Sequence, residues 1–297
     1  RLGWSGPAPT AVAHGLDFLL RHYRRADGLF RTRVAVDGRP VDDTVVLYDH
    51  AFVLLALAAG FARGQGEARA VAHELHDRLR AGFGNVAGGL FESPLRSAPL
   101  TSNSHMHLLE ASLAWLVLDD DPRWMRLAAE IVELALTRFI DAQSGALREF
   151  FDANWQPAAG AAGTLVEPGH QFEWAFLLLS YAERVPDARI RPAALRLVEI
   201  GERHGVDPAR GVAINANVKF MRSSRVRAMR IFRAKSADDV LDNNCGKFCT
   251  GRLKFSNVSA AAATHLNLPD SGSVAMRTVR NDQGYAFTKY GVRRFVN

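Results

Sequence analysis

Leu47-Tyr48-Asp49-His50-Ala51-Phe52-Val53-Leu54-Leu55-Ala56-Leu57-Ala58-Ala59-Gly60-Phe61 carries one formal charge, at Asp49. Five residues later comes Glu67-Ala68-Arg69-Ala70-Val71-Ala72-His73-Glu74-Leu75-His76-Asp77-Arg78-Leu79-Arg80-Ala81, with Ala68, Val71, Ala72, Leu75 and Leu79 on one helical stripe and charges on the rest. The first segment, a helix over 44–62, is apolar all round and must be enclosed. The second, over 67–81, has one face to bury and one to show water. An enclosed helix followed by an amphipathic one is a helical hairpin with an inner and an outer member.

The same alternation extends both ways from this pair. Val12, Leu16, Leu19, Leu20 and Tyr23 predict a helix over 10–25. Residues 104–118 are apolar, and 122–140 begin with Asp121-Pro122, an N-cap followed by proline in the first turn. Residues 169–183 and 187–204 form a further pair broken at Pro186. Between helices, Leu29, Val34 and Val36 with Asp37-Gly38 predict a hairpin over 28–43, Gly88-Gly89-Leu90-Phe91 a short strand or turn, and the Gly- and Ala-rich 155–165 a loop. The fold class expected is all-α: hairpins recurring about every 50–60 residues in an (α/α) toroid. A closed toroid of this kind takes six hairpins. About seven helices are legible here, so an incomplete ring is expected.

The chain has 297 residues, 48% apolar and 23% charged, and two cysteines, Cys245 and Cys249. It has no apolar run long enough to span a membrane and no signal-peptide pattern. Two cysteines exclude a disulfide framework and make a cytoplasmic setting the expectation. The net charge of +6 hides a break. Residues 1–214 hold 22 arginines, no lysine and 26 acids, net −4, whereas 215–297 hold ten arginines and five lysines against five acids, net +10. Two segments are therefore expected: a partial barrel over 1–214 and an unrelated basic tail of low order over 215–297, with one helix at 224–237. The tail fits a frameshift, a misjoined reading frame or a fusion. Its spaced Arg222, Arg225, Arg227, Arg230 and Arg233 could meet phosphates, yet nucleic acid is not the expected partner.

Three clusters could carry chemistry. In Glu167-Pro168-Gly169-His170-Gln171-Phe172-Glu173-Trp174, His170 and Glu173 share a helix face, and a carboxylate beside an imidazole suits a general base. A histidine satisfied locally at a helix start has the same spacing. In Asn103-Ser104-His105-Met106-His107-Leu108-Leu109-Glu110-Ala111, His107 and Glu110 repeat that spacing. His105 and His107 cannot face one way on a helix, so no metal grip is expected. Polar groups satisfied inside a core explain this segment as well. In Tyr48-Asp49-His50, three polar groups at a helix start either bind hydroxyls or cap the helix.

The second and first of these segments, in that order and about 60 residues apart, resemble the N-acylglucosamine 2-epimerase family, as do Asp37-Gly38-Arg39-Pro40 and Leu47-Tyr48-Asp49-His50-Ala51-Phe52. The resemblance covers residues 1 to about 214. It implies an (α/α)6 barrel with a central sugar pocket and proton transfer at C2 of an opened sugar through an enediolate, without metal or cofactor. It implies catalytic roles for His170, steadied by Glu173, and for His107 in ring opening or hydroxyl binding. Tyr48, Asp49, His50, Asn103, His105, Glu110 and Trp174 are expected to bind substrate. The family's sugar-contacting arginine helix and its second acid/base histidine have no counterpart here, and His265 lies outside the pattern. The chain as it stands is expected to be impaired. A small sugar is the expected partner, with no membrane, and a homodimer is left open. Two alternatives stand beside the enzyme: a non-catalytic carbohydrate- or protein-binding toroid, and a glycoside hydrolase drawing on Glu149, Glu167 and Glu173.

Overall fold

The computed structural model describes residues 8–207, 212–213, 279–280, 285–288 and 291–294. Seven α-helices appear in chain order: α1 (Ala8–Phe18), α2 (Leu47–Phe61), α3 (Glu67–Phe83), α4 (Ser102–Trp115), α5 (Pro122–Leu134), α6 (Pro168–Ala182) and α7 (Ile190–Gly205). π-Helical turns at Leu19–Tyr23 and Ala135–Phe139 extend α1 and α5. Two-stranded antiparallel ladders join β1 (Arg33–Val34) to β2 (Pro40–Asp42), β3 (Leu100–Thr101) to β4 (Phe150–Phe151), and β5 (Val206–Asp207) to β6 (Val212–Ala213). In the basic tail, β7 (Val279–Arg280), β8 (Tyr285–Thr288) and β9 (Gly291–Arg294) pair in that order, antiparallel. The helix expected over 224–237, both cysteines and His265 lie outside the described residues.

The helices form two layers, as an all-round apolar helix paired with an amphipathic one requires. α2 packs on α4 and α4 on α6, making the inner layer. α3, α5 and α7 each lie against the inner helix before them. Trp115 of α4 stacks on Trp124 of α5 with ring centroids 5.2 Å apart and planes at 11°. The Trp115 indole N–H donates to the Leu54 carbonyl at 2.9 Å, so one aromatic side chain ties α2, α4 and α5 together. Pro122 takes the first turn of α5, and the Asp121 carboxylate accepts from the Arg123 N–H. Among the described residues no helix is long and apolar enough to cross a membrane.

Each inner helix is entered through the same local device. After the preceding outer helix the chain makes a single antiparallel bridge, at Arg24–Phe30, Gly84–Leu90 and Ile140–Leu147. The second member of each bridge then donates its N–H to a side chain on the inner helix: Phe30 to His50 Nε2 at 2.9 Å, Leu90 to His105 Nε2 at 3.1 Å, Leu147 to Gln171 Oε1 at 2.9 Å. Those three side chains each stand four residues after their helix N-caps, Val46, Thr101 and Glu167. Gly89 belongs to the second turn. Its φ is +68°, and a Cβ there would lie 2.8 Å from His105 Nε2 and from a Leu134 methyl, so only glycine fits.

Candidate active site

The first turns of α4 and α6 and the segment leading into β4 enclose a cavity of about 270 Å³. Its walls are Tyr48, Glu92, Thr101, Asn103, Ser104, Glu149, Phe150, Glu167 and His170. β3–β4 pairing, with Thr101 opposite Phe150, closes one side. Pro168 starts α6, so His170 falls in its first turn with its ring directed at residues that precede the helix.

His170 is the centre of charge. Its Nδ1–H donates to Glu149 Oε2 at 2.9 Å, and its Nε2 lies 3.6 Å from Glu167 Oε2. Burial by itself would lower the imidazole pKa. The hydrogen bond to Glu149 and the charges of Glu149, Glu167 and Glu173 outweigh it and raise the pKa to about 9. The resting ring is therefore an imidazolium at neutral pH. Glu149 is 3% exposed and fully engaged: it also accepts from the Ser102 hydroxyl and the Glu167 N–H, both at 3.3 Å. Glu167 and Glu173 both have pKa values raised, burial being the largest cause and the His170 charge opposing it.

Glu173 sits on the concave face between the two histidines, feeling His170 and then His107. Solvent reaches its side chain, and desolvation by the helices around it is the largest cause of its raised pKa. His107 Nδ1–H donates to Glu110 Oε2 at 3.0 Å. Its ring packs edge-on against Tyr48, with centroids 5.3 Å apart, and against Phe52 at 4.4 Å. Burial, then Glu173, Asp49 and Glu110, raise the Tyr48 phenol pKa. The Asn103 side-chain oxygen is buried without a hydrogen-bond partner at the cavity wall.

Of the residues expected at the site, the structure brings Tyr48, Asn103 and His170 to the cavity wall and His107, Glu110 and Glu173 to the inner face beside it. Others go elsewhere. His50 and His105 have no exposed surface. Each donates Nδ1–H to a backbone carbonyl, Val46 at 2.6 Å and Thr101 at 3.0 Å, while Nε2 accepts the bridge N–H. Both ring nitrogens are spent on backbone, so neither side chain can bind substrate. Trp174 is likewise fully buried, edge-on to Phe139 at 5.7 Å. Asp49 accepts from the Thr32 hydroxyl at 2.6 Å and is not on the cavity wall. The acid hydrogen-bonded to His170 is Glu149, not Glu173, because the ring reaches back from the first turn toward the segment before β4. Sequence spacing also missed Glu92, whose carboxylate accepts from the Thr101 N–H at 2.7 Å and hydroxyl at 2.9 Å and from the Ser104 hydroxyl. Its signal was available: Glu92 and Glu149 each stand two residues after a bridging leucine.

The chain has known relatives. Mannose-6-phosphate isomerase of Rhizobium meliloti (strain 1021) is 43% identical over 219 residues, covering 72% of this chain and 57% of that protein. Among solved structures, a D-mannose isomerase matches with a TM-score of 0.64 at 22% identity, over 71% of this chain and 58% of that one. The cellobiose 2-epimerase from Spirochaeta thermophila DSM 6192 matches with a TM-score of 0.62 at 25% identity, over 69% and 55%. The chain thus spans somewhat more than half the length of these proteins. The two structural matches carry the (α/α)6-type fold across to it. The family model for N-acylglucosamine 2-epimerase (GlcNAc 2-epimerase) matches residues 1–234. By that match, which takes in more than half of its residues, the chain belongs to the N-acylglucosamine 2-epimerase family, whose members are sugar epimerases and isomerases.

Proposed function

We propose that the inner face carries out proton transfer at C2 of an open-chain, uncharged aldose, as a 2-epimerase or aldose–ketose isomerase. The observation that supports this most is the His170 ring, hydrogen-bonded to Glu149 at the wall of a cavity of about 270 Å³. Removing the C2 proton beside the C1 carbonyl gives an enediolate, whose negative charge needs a cation or donors close by. The neutral His170 ring takes the C2 proton on Nε2, and the imidazolium so formed meets that charge and returns a proton, to the opposite face of C2 for epimerisation or to C1 for isomerisation. Tyr48, Asn103 and His107 hold hydroxyls, and Glu173, raised toward its neutral form, donates or accepts between the two rings. Glu149 is buried and saturated with hydrogen bonds, which counts against a hydrolase that would use it as nucleophile or acid.

The lining supports an uncharged substrate. It includes Glu92, Glu149 and Glu167 and no arginine or lysine, a surface that repels a phosphate dianion. The purified chain incubated in heavy water with mannose, mannose 6-phosphate, glucose, N-acetylmannosamine and cellobiose tests both points. Deuterium is expected at C2 of a neutral sugar, at a reduced rate in this chain, and abolished by His170→Asn. Background exchange with every neutral sugar, here and in a longer protein containing this chain, removes the reading; faster exchange with the phosphate removes the substrate class.

A further inference from the structure

The three bridging segments repeat at the side-chain level. Two residues beyond Phe30, Leu90 and Leu147 stand Thr32, Glu92 and Glu149, and each bonds the residue three after the next N-cap: Thr32 to Asp49, Glu92 to Ser104, Glu149 to His170. Glu92 and Glu149 share a second bond as well, each accepting the N–H of the N-cap residue itself, Thr101 and Glu167. In the first two units the tethered side chain is a carboxylate or a hydroxyl. In the third it is an imidazole at the cavity wall, whose other nitrogen lies 3.6 Å from Glu167 Oε2.

We propose that Glu149 is the positioning residue of the proton transfer, fixing the His170 ring through Nδ1 so that Nε2 is the nitrogen that exchanges the proton. This rests on His170 being the acid/base group. Glu149 can do this because it is itself immobilised, by Ser102 from α4 and by the α6 N-cap amide. A carboxylate held by two other donors keeps its own place and so orients the ring it accepts from. The other charged groups near the ring are Glu167 and Glu173 of α6 and, through Glu173, His107 and Glu110 of α4; none of them hydrogen-bonds Nδ1. Glu92, also on the wall, is occupied with Thr101 and Ser104.

The test reads His170 directly, without turnover. In the 297-residue chain labelled with ¹⁵N-histidine, the ring signals are assigned by loss in His170→Gln and titrated by NMR. The wild-type midpoint is expected near 9. Glu149→Gln, nearly isosteric and uncharged, is expected to lower it by about 1–3 pH units, and Glu173→Gln by clearly less. If Glu149→Gln fails to fold by circular dichroism, Glu149→Asp, which keeps the charge but withdraws it, is expected to give a smaller fall. A midpoint unmoved within about 0.3 units in the variant that folds, or moved as far by Glu173→Gln, overturns the proposal. Where deuterium exchange is measurable, Glu149→Gln is expected to lower kcat at least about tenfold with KM little changed; a change in KM alone overturns it too. Absent exchange in the wild type counts against the proposed reaction and leaves the titration to decide the role of Glu149.

Discussion

His105 and His107 stand two residues apart on α4 and work in different surroundings: one ring is in the core bonding backbone, the other on the inner face beside Tyr48. In the third unit the core position is Gln171, which both accepts the Leu147 N–H and donates to the Leu147 carbonyl. What the position demands is an acceptor and a donor, not an imidazole. His50→Gln and His105→Gln are therefore expected to cost no more than about 1 kcal/mol, whereas His105→Ala, which strands the Leu90 N–H and opens a cavity, costs about 3 kcal/mol. Urea unfolding of the three variants measures this, and equal losses for Gln and Ala would refute it. Sequence spacing could see that histidines were present but not where their rings point. Glu149 was in view only as a hydrolase candidate; its pairing with His170 was hidden because the two lie 21 residues apart, and i, i+3 neighbours draw attention to Glu173 instead.

The helices themselves were legible, because an all-apolar α2 beside a striped α3 leaves little choice of layer. The π turns were not. A period of 3.6 continues smoothly through Leu19–Tyr23 and Ala135–Phe139, and nothing in the residues announces the wider turn. Nor does sequence pattern show the clasp between outer helices. The Asp119 side chain, just after α4, has no exposed surface. It meets Arg69 and His73 of α3 and accepts from the Trp124 indole of α5 at 2.9 Å. Asp119→Ala removes three partners from one buried acceptor and is expected to destabilise the fold by about 3 kcal/mol. A fall in urea midpoint of that size checks it, and Asp119→Asn, which keeps an acceptor, is expected to lose less.

Across the whole molecule, buried imidazoles of opposite kinds shape stability against pH. Burial lowers the pKa values of His50 and His105. Their contribution is complete above the unfolded value near 6.5 and is lost as pH falls through the lowered folded values, when a protonated Nε2 can no longer accept. His170 is raised to about 9, so its contribution is complete below 6.5 and is lost as pH rises toward 9. The melting temperature is expected to fall on both sides of about pH 6.5. His50→Gln and His105→Gln should flatten the acid side, and Glu149→Gln the alkaline side. Scanning calorimetry from pH 5 to 10 distinguishes these arms, and unchanged slopes in the variants would refute the assignment.

The seam between neighbouring units runs one way. The Glu92 carbonyl accepts the first helical N–H of α2, from Leu47 at 2.8 Å, and the Glu149 carbonyl accepts that of α4, from Ser102 at 3.1 Å. Each unit thus fastens the one made before it. On a translating ribosome the α2 bond cannot close until residue 92 has emerged, nor the α4 bond until residue 149. At the same place α6 has Pro168, which has no N–H to give.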